Sequence, residues 1–437
     1  MRLDIISHPG LLVGAAVVLL TISINWIRQP RKGVAHLIIL FLFAPLYPVP
    51  AFEYVFYAFA ACSSIILFVW FVSACRRMPP IEHDHTYRRL STGLKLWLVV
   101  CFLGLPLSLI FNQGHLSERF YFFVKGFLPF WYLCIFFVVW RLRPTAVDAE
   151  RVLRCTLITA VGFASLSWMI YAMTSARVTW FYHPLAFPFI VLGANIAFSS
   201  FLSAPKLSTQ LGWTALIAFF VAAIIFTFTK AQMIALFCGF AMVVALLQGP
   251  SHPNVLRRSV GLAISGMLLG VILIFSFMHN EVDSFTDILS ARIADTGTTS
   301  TRLEEWKTAL SEFGKSPVIG KGIGFQLERT EFDETITAGY VHNQVIYTAM
   351  TTGLVGIAIY VFIILNWIKL LRRAGLASPP AKSALAACHA CILSLSVYSL
   401  LFAGFRTIQH NYLLGVLLAV AVALTPSKKQ LETFARE

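Results

Sequence analysis

Apolar residues in this chain come in long runs broken by short polar links. Thirteen runs lie near 11–27, 34–51, 54–75, 94–112, 120–140, 152–174, 185–203, 213–229, 231–248, 259–278, 343–368, 384–404 and 410–425. Most are close to the ~20 helical residues that cross a ~30 Å hydrocarbon core. Several are short, and the first two need not both span. The pattern therefore predicts an all-α polytopic integral membrane protein with 12–13 transmembrane helices. One polar interruption is much longer than the rest, so the chain divides into membrane helices over 1–278, a loop domain over 279–341, further spans over 342–425 and a tail over 426–437.

Within the loop the pattern changes to a helical period. Leu303, Trp306, Leu310 and Phe313 recur on one face, Thr301 and Glu304 match a capping box, and Gly314 is placed to end the helix. Arg302 would then sit in the first turn, where the positive dipole end already favours an anion. It reads either as a phosphate ligand or as a surface residue paired with Glu305. The stretch GKGIGF (320–325) has the glycines of a phosphate loop but no strand before it, and is expected to be a flexible turn.

Composition agrees with the spans. The chain is 58% hydrophobic and 12% charged, with a mean hydropathy of +0.77, against roughly 25% charged in soluble domains. The net charge of +14 is explained by topology and implies no nucleic-acid partner. Of the 34 Lys and Arg, 22 fall in one alternate set of loops, which marks that set as cytoplasmic. The loop over 279–341, with 11 acidic and 6 basic residues, is then expected on the outer face. The first run is followed by Arg28, Arg31 and Lys32, with no small-residue cleavage site, so it is expected to stay as a membrane segment. The eight cysteines lie in or beside apolar runs and imply core packing, CHAC at 388–391 included. EHDH (82–85) and EFDE (331–334) could each hold a metal, but are expected to be solvated.

Charged side chains are costly within spans. Here Lys125, Lys230, Arg119, Arg177 and Arg406 all fall towards the predicted outer ends. With Arg302 they could form a site for an anionic headgroup, since ammonium and guanidinium groups match phosphate oxygens. The alternative is snorkelling to lipid headgroups. His342 lies where the loop enters the next span. Its imidazole could accept a proton at neutral pH, or simply bond to a helix end, and Asn343 could cap that helix or orient the ring.

Taken together, the cation at the 227–230 hairpin, TRLEEWKTAL…KSPVIGKGIG and VHNQVIYTAMTTGLVGI resemble the O-antigen ligase / O-antigen polymerase (Wzy-like) superfamily of bacterial envelope glycosyltransferases, over roughly 220–370. The resemblance implies a GT-C-like multi-helix fold in the bacterial inner membrane, with a periplasmic loop that contains short helices and an active site facing the periplasm. It implies a glycan donor on undecaprenyl diphosphate and neither metal nor other cofactor. The acceptor would be a lipid A–core sugar in the ligase branch, or a second carrier-linked glycan in the polymerase branch. The family's histidine corresponds to His342 and its loop arginine to Arg302. Lys230 stands where relatives carry an arginine after Ser or Thr, so the charge is kept but the two-pronged contact is not. Arg406 and Lys125, with Arg119 beside them, would complete the diphosphate site. Of the two branches the ligase is favoured, and a lipid or glycan transporter is the alternative from another class.

Overall fold

The computed structural model describes residues 25–40, 53–77, 85–174, 188–227, 229–249, 253–264, 297–331 and 334–426. Arg177, most of the runs 11–27, 34–51 and 259–278, most of EHDH and nearly all of the 426–437 tail lie outside the described residues.

The chain is an all-α polytopic membrane protein. Its helices are α1 (Pro30–Leu40), α2 (Glu53–Arg77), α3 (His85–Phe111), α4 (Leu116–Trp131), α5 (Ile135–Arg141), α6 (Ala146–Thr174), α7 (Phe189–Ser203), α8 (Leu207–Thr227) and α9 (Lys230–Leu247), then α10 (Gly297–Lys315), α11 (Gln344–Ala374), α12 (Pro379–Leu401) and α13 (Ile408–Leu424). Among the described residues, seven helices are long and apolar enough to cross a membrane and three more are shorter apolar helices. The expectation of 12–13 spans is tested only over this part. The interior is mostly apolar, but apolar side chains also cover the outside. Ile65, Ile110 and Phe237 point outwards, while Asn195, Gln232, His389, Gln409 and His410 are fully buried between helices. Lipid tails are as apolar as leucine, so only the polar groups gain by facing protein.

The loop differs from its expected form in three ways. Among its described residues it holds a 19-residue helix and also a hairpin, β1 (Leu327–Glu331) with β2 (Glu334–Ala338), paired antiparallel from Leu327–Ala338 to Glu331–Glu334. Its helix α10 begins at Gly297, so Thr301 is not an N-cap and Arg302 lies beyond the first turn. The anion-binding end inferred from the capping box is therefore not where Arg302 stands. The buried face is also rotated. Glu305 and Ala309 are buried, whereas Leu303 and Leu310 are about half exposed.

The third difference is GKGIGF. It is no flexible turn, because residues 320–325 are all buried. Gly320, Gly322 and Gly324 have φ of +70°, +91° and +86°, a backbone that L side chains rarely adopt. At Gly324 a Cβ would lie 2.3 Å from the Phe122 carbonyl oxygen. The loop is a wedge driven among α3, α4 and α11.

That wedge seats in a break in α11. Gly353 there has φ +64° and ψ −161°, which divides the helix. The carbonyls of Met350 and Thr351 accept the N–H groups of Lys321 and Gly322, both at 2.8 Å. Beyond the break, the N–H groups of Leu354 and Val355 donate to the carbonyls of Pro317 (2.8 Å) and Val318 (3.2 Å). Backbone groups freed in a membrane helix must be re-bonded by protein, and here the loop does so on both sides. Asn112, at the end of α3, ties the wedge further by donating to the Gly324 carbonyl (3.1 Å) and accepting the Gln326 N–H (2.7 Å). A second hydrophobic cluster, including Trp97, Phe130, Ile323, Tyr347 and Phe405, packs beneath it.

Candidate functional site

The middle of α4, the end of the wedge, β2 with the link that follows it, and the turn between α12 and α13 enclose a cavity of about 520 Å³ lined by, among others, Lys125, Gln326, Tyr340, His342, Phe402 and Arg406. None of the described residues that line it is acidic.

His342 is held from three sides. Its Nδ1 lies 2.9 Å from Glu305 Oε2, and its backbone N–H donates to Glu305 Oε1 at 2.9 Å. Its ring meets Tyr340 and Phe402 edge-on, with centroids 5.2 and 5.5 Å away. Glu305 is only 2% exposed. A carboxylate against Nδ1 assigns the proton to that nitrogen and leaves Nε2 as the basic atom. The same contact would stabilise an imidazolium formed at Nε2. Asn343 does not orient the ring; its Oδ1 caps α11, accepting the N–H groups of Val345 (2.9 Å) and Ile346 (3.0 Å).

The cations fall into two groups. Lys125 and Arg406 line the cavity with His342. Arg406 ends a 3₁₀ turn, Ala403–Arg406, whose other three residues are buried. Its guanidinium stacks on the Tyr340 ring at 4.8 Å, and its buried Nε has no hydrogen-bond partner. Lys125 lies 5.6 Å from the centre of the Tyr121 ring. Tyr340 thus joins Arg406 to His342 in one continuous contact.

Arg302, Lys230 and Arg119 are not among the lining residues. Arg302 donates to the Leu401 carbonyl at 3.1 Å, beside Phe402 in the cavity wall. Lys230 begins α9, and α9 runs antiparallel to α12. Ser394 bonds the Ala235 carbonyl at 2.7 Å, and Gly249 lies beside the Lys382 ammonium. With equal rise per residue on both helices, this register sets Lys230 level with the α12 end that Arg302 contacts. Arg119 serves a different purpose: it donates to the carbonyls of Gly114 (2.9 Å) and Leu109 (2.7 Å), securing the turn between α3 and α4.

Two site residues, Glu305 and Tyr340, escaped the sequence reading. Glu305 shares an acidic pair with Glu304, and only the rotation of α10 decides which is buried. Tyr340 carried a signal in its position two residues before the histidine. Among the described residues no cluster of three or more metal-ligating side chains occurs. Glu331 and Glu334 pair across the hairpin, with the two residues between them outside the described set.

Residues 215–361 of the 437 match the family model described as O-Antigen ligase. The matched stretch contains Lys230, Arg302, Glu305 and His342, whereas Lys125 and Arg406 lie outside it. No curated protein matches the chain.

Proposed function

We propose, from the premise that the chain falls in the O-antigen ligase/Wzy-like superfamily, that it is an inner-membrane glycosyltransferase of the O-antigen ligase type. It moves a glycan from undecaprenyl diphosphate to a lipid A–core sugar on the periplasmic face. The observation that carries this reading is His342, held by buried Glu305 at a cavity that also presents Lys125 and Arg406.

In this scheme the acceptor hydroxyl attacks the anomeric carbon of the donor. His342 Nε2 takes the hydroxyl proton as the new C–O bond forms, and Glu305 stabilises the resulting imidazolium. The bond from the anomeric carbon to the diphosphate oxygen breaks and its electron pair leaves with undecaprenyl diphosphate. A single displacement inverts the anomeric centre. Arg406 and Lys125 are placed to meet the charge growing on the leaving group, and fixed cations in a dry site are effective there. Arg302 and Lys230 extend the cationic wall along the α12 end. A transporter would keep a broken helix open as a binding site; the break in α11 is instead filled by the loop backbone.

Arg406→Ala and Lys125→Ala are each expected to weaken donor use by ~1.5–3 kcal/mol, the range for a hydrogen bond to a charged group. At ~1.4 kcal/mol per tenfold, the donor KM or kcat/KM would change by roughly 10- to 100-fold. Unchanged donor kinetics in both variants would remove them from the diphosphate site.

The branch is decided in cells. A strain lacking this protein is expected to make core-only lipopolysaccharide and to accumulate long carrier-linked polymer, because polymerisation continues while attachment stops. Lipopolysaccharide bearing single repeat units would show attachment still working, and the protein would then be a polymerase.

A further inference from the structure

A second cavity, of about 540 Å³, lies against the first. Phe122, Gln326 and Thr337 line both, so these three side chains are the partition between them. Both volumes fall within the ~300–1,000 Å³ of typical ligand sites. Their chemistry differs sharply.

The second cavity contains cations, but they are already neutralised. Glu312 lies between Lys315 and Lys321, pairing with Lys315 through Oε1 and standing 3.6 Å from the Lys321 ammonium through Oε2. Lys321 is 8% exposed, and its ammonium also lies 4.3 Å from the centre of the Phe111 ring. Glu328 adds a further carboxylate, so the charged side chains of the lining cancel. The rest of the lining is Leu327 and three phenylalanines, Phe111, Phe122 and Phe325, with the Lys321 ammonium over the first and last of the three. Interleaved with these are the side chains of Asn112, Gln113, Gln326 and Thr337.

Such a lining suits a neutral ligand with many hydroxyls and apolar ring faces. Carboxamides both donate to and accept from hydroxyls, and carboxylates accept from them, while the C–H faces of a pyranose can pack on aromatic rings as other apolar surface does. We infer that the second cavity is a saccharide subsite, entered across the Gln326–Thr337 partition by a sugar chain whose reacting end lies in the cationic cavity. The inference rests on the glycosyl-transfer reading above. The saccharide could belong to the donor or to the acceptor, and the experiment separates these.

Gln113 and Glu328 are exposed on the cavity wall. The test is the full-length protein reconstituted in liposomes, wild type against the double variant Q113A/E328A, with equal melting temperatures as the check on folding. Losing hydrogen bonds of ~0.5–1.5 kcal/mol each is expected to raise one KM by about 5- to 100-fold, with kcat within about twofold. A rise in the donor KM assigns the subsite to the donor glycan, and a rise in the acceptor KM assigns it to the acceptor. Binding of undecaprenyl diphosphate without sugar should be the same in both proteins. The subsite is overturned if neither KM moves, or if binding of the bare carrier falls in parallel. If the wild type transfers nothing, the functional reading fails separately. Binding alone then decides the subsite: wild type should hold glycan-bearing carrier more tightly than bare carrier, and the variant should lose that difference.

Discussion

Glycan transfer by His342→Ala is expected to fall by roughly 10²- to 10⁴-fold in kcat, the range for a positioned general base, with the protein still accumulating in the membrane. The imidazole is a rim residue, with 18% of its side chain exposed, and α11 keeps its Asn343 cap without it. The loss should therefore appear in turnover and not in folding. A companion variant, Glu305→Gln, keeps the size of the side chain and removes its charge. It should retain donor binding and lose much of kcat, since Nδ1 would no longer face a carboxylate. Transfer is measured on purified protein with carrier-linked glycan and core acceptor, and protein levels by immunoblot. Near-wild-type turnover by His342→Ala would make the histidine a structural support for the loop.

Gly353→Ala is expected to be strongly damaging for the addition of a single methyl group. The φ, ψ pair of this residue lies in a region nearly reserved for glycine, at a cost of ~1–3 kcal/mol for other residues. The new Cβ would also lie 2.3 Å from the Val318 carbonyl oxygen, adding the ~1–3 kcal/mol typical of overpacking. Against a total stability of ~5–15 kcal/mol, the expected result is little monodisperse protein after detergent extraction, or a melting temperature lowered by many degrees. Gly261→Ala, where a Cβ meets nothing within 4 Å, serves as the neutral control. Wild-type yield and melting temperature for Gly353→Ala would mean that the break in α11 is not required.

The spans were legible because hydropathy is a property of each run by itself. The same holds for Asn343, whose side chain needs only the helix that follows it. Lys125, Arg406 and His342 could be nominated one at a time, since cations and histidine at span ends stand out against apolar sequence. Their convergence on one cavity could not, because it depends on the 3₁₀ turn after α12 and on the seating of the wedge. The burial of Glu305 depends on the rotation of α10 about its axis. The periodic leucines pointed that rotation the wrong way, since Leu303 and Leu310 are partly exposed. GKGIGF misled for a related reason: glycines needed for close backbone approach look, in sequence, the same as glycines that merely permit flexibility. Arg119 shows the converse, a cation in a suggestive place whose donors go to the carbonyls of its own turn.

The junction at Gly353 also bears on how the protein is made. A newly synthesised segment entering the bilayer alone would carry the open carbonyls of Met350 and Thr351 and the open N–H groups of Leu354 and Val355. Each unsatisfied group in hydrocarbon costs several kcal/mol. Residues 317–322, which satisfy them, leave the ribosome only about 30 residues earlier. This span and the loop ahead of it are therefore one unit of biogenesis, in which the loop must fold back before the helix behind it can settle across the membrane.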